Sequence, residues 1–120
     1  MRTKFSVVTI LATGMVAGSA WAGEGKLDKE IIRKVVQAHI TEVRWCYMAG
    51  LARNAELAGR FVVDFEIAAT GEVSRAEIRE STLADAQVTA CVAEAVRQWK
   101  FPRPEGGAVS VMYPFVLEPG

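Results

Sequence analysis

The sequence predicts an α+β fold: a small antiparallel sheet of three strands with two helices packed on one face. Three observations carry this. Phe61, Val63, Phe65 and Ile67 recur every second residue, with Asp64 and Glu66 between them, which is the period of a strand apolar on one side. Ile32, Val36, Ile40, Val43 and Tyr47 recur at steps of three and four, as do Val88, Val92, Ala95, Val96 and Trp99, which is the period of helices with one apolar stripe. The order of these patterns is helix, strand, strand, helix, strand. The third strand pairs most simply with the first, giving the spatial order 2-1-3.

Ahead of the first pattern, residues 1–22 read as a secretory signal peptide. Arg2 and Lys4 supply the positive start, Phe5 to Val16 the apolar centre, and Ala20-Trp21-Ala22 a small-x-small cleavage site. The apolar run is shorter than the roughly 20 residues of a membrane span. Cleavage after Ala22 leaves one domain, 23–120, in the periplasm or outside the cell. It removes two basic residues and no acid, so the remainder is slightly acidic. That composition argues against a nucleic-acid partner, which selects a clustered basic face.

Gly23 to Lys26 form a short polar leader. Asp28 is placed to cap a first helix that runs to about Ala49, with Glu30 suited to the positive end of the helix dipole and Gly50 as terminator. Leu51 to Ala58 connect, with Leu57 as an apolar plug. The hairpin from Gly59 to Ser81 follows, turning at Thr70-Gly71. In its second strand Val73, Ala76 and Ile78 do not keep one parity, so a bulge is expected near Ser74–Arg75. Asp85 caps the second helix, from Ala86 to about Trp99. Pro102 and Pro104 stop that helix, and Glu105-Gly106-Gly107 turns the chain.

The third strand runs from Val109 to Leu117. Pro114 in its middle cannot donate to a ladder, so this strand belongs at a sheet edge with the missing N–H outward. An exposed edge is either guarded or used for association.

Cys46 and Cys91 are the only cysteines, one on the apolar side of each helix. An even count in an exported chain is read as a disulfide. A zinc site would need two more ligands, and there is a single histidine. That histidine, His39, borders the apolar stripe and has no Ser or Cys partner at a recognisable spacing. Asp64 and Glu66 share an open strand face rather than a cleft. Gly106-Gly107 has no strand before it and no helix after it, which excludes a phosphate loop. Trp45, Tyr47 and Trp99-Lys100-Phe101 are read as core and helix-end packing. No catalytic residue, metal site, cofactor or small-molecule substrate is expected.

Several segments together resemble a known family. They are Gly59–Ile67, Gly71-Glu72-Val73, Ser81 and Trp99-Lys100-Phe101-Pro102, with Leu27-Asp28-Lys29-Glu30-Ile31, Arg44-Trp45-Cys46-Tyr47, Cys91-Val92, Gly106-Gly107 and Tyr113-Pro114-Phe115. The chain is similar to the TonB C-terminal domain, and more closely to the module at the C-terminus of AgmX/PglI-type gliding-motility proteins. The resemblance implies the same element order. It also implies a partner mode, in which an extended peptide lies along the edge of the third strand, here at Val109, Ser110, Val111, Met112 and Tyr113. The expectation is therefore a non-enzymatic interaction module of the cell envelope. Its partner would be a protein or peptide, such as an outer-membrane or envelope protein in a transport or motility setting. The alternative is an envelope protein that self-associates as a homodimer through the same edge.

Overall fold

A computed structural model describes residues 5–9 and 25–119. The strands are β1 (Phe5–Thr9), β2 (Gly59–Ile67), β3 (Val73–Arg79) and β4 (Val109–Pro119). The helices are α1 (Lys29–Ala38), α2 (Ile40–Arg53) and α3 (Ala86–Arg97). β2, β3 and β4 form an antiparallel sheet with β2 in the middle, the order expected from the sequence. β1 adds a fourth strand on the far side of β4, so the full order is β1-β4-β2-β3. It falls within the segment read as a signal peptide. The expected cleavage site at Ala20–Ala22 lies outside the described residues.

The alternation that announced the sheet also sorts its faces. Phe61, Val63, Phe65 and Ile67 of β2 are buried together with Val111, Tyr113, Phe115 and Leu117 of β4. Paired rings such as Phe61–Phe115 and Phe65–Phe101 stack with centroids 5.6 and 5.7 Å apart. Each such side chain contributes about 1.5–3 kcal/mol by leaving water. On the opposite face Asp64 is held by Arg79 at 3.0 Å and Arg75 at 3.3 Å, and Glu77 pairs with both arginines. Asp64 thus belongs to a surface ion network, and Glu66 on the same face accepts from a serine hydroxyl. The bulge lies where the parity broke. Glu66 faces Arg75 and Ile67 faces Val73, leaving Ser74 as the extra residue, its hydroxyl donating to the Glu66 carboxylate at 2.7 Å.

The first helix departs from expectation twice. It is two helices, broken at His39, whose φ of −108° and ψ of 13° leave the helical basin. No Pro or Gly causes the break. The His39 ring lies flat on buried Trp99, with centroids 4.8 Å apart, and is tied to Glu42 through Nδ1 at 2.8 Å. Glu42 also accepts the Trp99 indole N–H at 2.8 Å. The joint between α1 and α2 is thereby pinned to the end of α3. Burial alone would raise the Glu42 carboxyl. The hydrogen bonds from His39 and Trp99, and the charge of His39, outweigh it and hold the group below its ordinary range.

The second departure is Gly50, which lies inside α2 and does not end it. A Cβ there would stand 2.5 Å from Val88 Cγ2 and 2.6 Å from Leu57 Cδ2. This glycine lets α2 approach α3, and Asn54 is the actual cap. Leu57 is buried as the expected plug, and its carbonyl accepts from the Tyr47 hydroxyl.

Asp28 and Asp85 cap α1 and α3 as the sequence indicates, Asp85 accepting from the N–H of Gln87 and Val88. Asp85 also receives a fork of three bonds from Nε and Nη2 of Arg53 at the end of α2, at 2.9–3.2 Å. Burial opposes the Asp85 charge, but the Arg53 bonds and the two backbone donors hold its carboxyl below the ordinary range. Further along the same helix pair, Cys46 and Cys91 form a disulfide with Cα atoms 5.7 Å apart. Cys46 is buried. Cys91 is exposed, contrary to the stripe reading, because the bridge closes the outer seam between α2 and α3 instead of entering the core. Trp45 is also a correction. It is 69 % exposed on the outside of α2, one step off the Val43–Cys46–Tyr47 face.

Candidate functional site

Among the described residues, main-chain groups without a partner strand lie on the outer side of β3 and on the N-terminal half of the outer side of β4, and the second of these is the stretch expected from the sequence. On its inner side β4 pairs with β2 from Val109↔Ile67 to Leu117↔Gly59. Pro114 stands opposite Val62. In an antiparallel ladder the N–H and C=O of one residue point the same way, alternately toward and away from the neighbour. A proline fits such a ladder only where its missing N–H would point away. That fixes the parity of the strand. The main-chain groups of Ser110, Met112, Pro114, Val116 and Glu118 face away from β2.

β1 occupies the C-terminal half of this outward row. Its register runs from Phe5↔Pro119 to Thr9↔Phe115, with Val8 opposite Val116 and Ser6 opposite Glu118. The third strand, expected at a sheet edge, is therefore covered on its outer side from Phe115 to Pro119. Among the described residues, no strand pairs with Val109 to Pro114 on the outer side.

The five residues expected at the site divide by parity. Val109, Val111 and Tyr113 turn their side chains into the core, whereas Ser110 is half-buried and Met112 is 36 % exposed on the outer face. Recognition at this stretch would use main-chain groups and the side chains of Ser110 and Met112.

Beside the start of the strand lies a groove of about 560 Å³. Leu27, Ile31, Ile32, Val109 and Val111 supply its apolar wall, and Lys26, Lys29, Arg103, Asp28 and Glu105 its charged rim. The leader closes one end. Lys26 and Glu105 exchange backbone bonds of 2.7 and 2.9 Å, and the Gly25 N–H donates to the Ala108 carbonyl at 3.0 Å. A Cβ on Gly25 would stand 1.9 Å from the Gly107 carbonyl oxygen, so only glycine passes there. The polar leader is thus tied to the turn before β4.

Sequence reasoning missed the groove. Its one signal was Ile31, apolar but out of phase with the buried Ile32 and Val36, and 37 % exposed. The pairing of the leader with Glu105 joins residues far apart in the chain and left no local trace. The remaining candidates do not gather here. His39 and Glu42 lie at the α1–α2 joint, and the disulfide spans α2 and α3. Among the described residues no group of three His, Cys, Asp or Glu could hold a metal ion, and no helix is long and apolar enough to cross a membrane.

Compared with known proteins, the chain matches no family model, no curated protein and no solved structure.

Proposed function

We propose that this chain is a non-enzymatic, exported interaction module of the cell envelope that adds an extended peptide to the edge of β4 at Val109–Tyr113. The observation that carries the reading is the outward row at Ser110 and Met112, without a partner strand among the described residues and running beside an apolar groove. Strand addition draws affinity from main-chain hydrogen bonds and selectivity from pockets beside the edge. The groove against Leu27 and Ile31 suits an apolar side chain of the ligand. Its mixed rim of Lys26, Lys29, Arg103, Asp28 and Glu105 suits a flanking polar residue of either sign. The same reading takes the chain as a TonB C-terminal-like domain of the AgmX/PglI type, processed after Ala22 and working in the periplasm or outside the cell.

The test is site-specific photocrosslinking in the source envelope, with the photoreactive residue at Ser110 or Met112 in one arm and at Trp45 in the other. Adducts to another protein from Ser110 and Met112, absent from Trp45, support the module. Adducts only between two copies of the chain move the assignment to a self-associating envelope protein. Adducts from Trp45 alone place the contact surface on α2 and reject the edge.

A further inference from the structure

The unexplained element is β1. A five-residue strand from the far N-terminus lies on the edge that the proposed function assigns to a ligand, and it does so antiparallel to β4 in a defined register. The parity set by Pro114 makes this seat specific. The outward main-chain groups of Val116 and Glu118 meet Val8 and Ser6. Residues 10–24 could span about 50 Å if extended, while the distance along β4 from Phe115 to the Gly25 anchor at Ala108 is about 23 Å. β1 can therefore leave and return without disturbing the leader's bonds to Ala108 and Glu105.

Resting on the reading of β4 as an acceptor edge, we infer that Phe5–Thr9 is a tethered occupant of that edge. Its removal with residues 1–22 passes the seat at Val116 and Glu118 to a partner strand of the same kind. That partner is an extended, uncharged, β-branched peptide running antiparallel to β4, the chemistry of Phe-Ser-Val-Val-Thr itself. The acceptor then extends past Pro114 over the whole length of β4, and Pro114 divides it into two short ladders. A linked strand acts at an effective concentration on the order of 1 mM. While β1 is attached, a free peptide must exceed that level to displace it.

The experiment compares the full chain with its Val8→Pro variant, which removes one main-chain donor from β1 and leaves residues 25–119 unchanged. Circular dichroism confirms that both are folded. Amide hydrogen exchange is read at Val116, Glu118, Ser110 and Met112, with and without a probe peptide, acetyl-Phe-Ser-Val-Val-Thr followed by two lysines for solubility. The expected result is that Val8→Pro speeds exchange at Val116 and Glu118 at least tenfold. The probe then restores protection in the variant at concentrations at least tenfold lower than the full chain requires. Unchanged exchange at Val116 and Glu118 in the variant overturns the tethered-occupant inference. So does failure of the probe to restore protection there. Protection that returns with protein concentration alone assigns the seat to a second copy and overturns the peptide partner. Probe protection confined to Ser110 and Met112 overturns only this inference, whereas absence of probe protection at all four positions counts against the module as well.

Discussion

Reducing the Cys46–Cys91 bond tests how much of the helix layer's stability comes from a covalent tie. The cysteines are 45 residues apart in the sequence. In the chain-entropy model, closing a loop of that size restricts the unfolded chain by about 4 kcal/mol at 25 °C. Small domains are stable by roughly 5–15 kcal/mol, so the bond carries a large share of the total. Reduction leaves both sulfurs in place. Cys91 is exposed, so no cavity opens on its side and the entropic contribution stands nearly alone. The Cys46→Ala/Cys91→Ala variant additionally deletes the Cys46 sulfur, which is buried, and should lose about 1 kcal/mol more by opening a small void. The assay is urea unfolding followed by circular dichroism, for the oxidised protein, the same protein in excess reductant, and the double alanine variant. The expected order of stability is oxidised, then reduced, then double alanine, with the first gap about four times the second. The urea slope should rise on reduction, because an uncrosslinked unfolded chain exposes more surface. A first gap below about 1 kcal/mol would refute the reasoning, since it would mean that the α2–α3 contact and the Arg53–Asp85 fork hold the seam unaided.

Gly50→Ala should destabilise, although alanine in a helix interior ordinarily gains about 1 kcal/mol over glycine. The new methyl meets stiff, buried Val88 and Leu57, and overpacking costs about 1–3 kcal/mol, so thermal unfolding should show a net loss. Tyr47→Phe leaves the buried Leu57 carbonyl without its phenol donor and should cost about 1–3 kcal/mol in the same urea assay. Glu42→Gln should narrow the acid sensitivity of the fold. A carboxyl held low in the folded state contributes stability above its unfolded pKa of about 4.3 and loses it as pH falls through the folded value. Thermal melts at pH 7, 5 and 3 should therefore show wild type ahead at pH 7 and the gap closing by pH 3. A gap that stays constant with pH would reject the role given to this carboxylate.

The sheet was legible because its information is local. Period-two burial in β2 and β4, the lost parity around Ser74 and the proline in β4 each speak within a few residues. The capping aspartates are equally local. What stayed hidden depends on contacts between distant segments. The break at His39 exists because Trp99, sixty positions on, offers its ring and indole N–H to the α1–α2 joint. Gly50 looked like a helix stop because the methyls of Val88 and Leu57 that make it necessary come from other elements. Residue type puts Trp45 in the interior and helical spacing puts Cys91 there, whereas both face water. At the candidate site, the strand and its outward row followed from sequence. The groove against α1 did not, because one wall is built by the leader's bonds to Glu105 and Ala108.

The strand that carries the site is also the last to be made. β4 lies between β1 and β2, so the sheet's inner face is incomplete until the C-terminal residues arrive. Before then β2 and β3 form a two-stranded hairpin, which is marginal in water unless a helix covers it. Their apolar side chains lack Tyr113, Phe115 and Leu117 to pack against. A chain delivered from its N-terminus is therefore held open until β4 has been delivered, and its assembly is limited by one long-range pairing rather than by the helices that precede it.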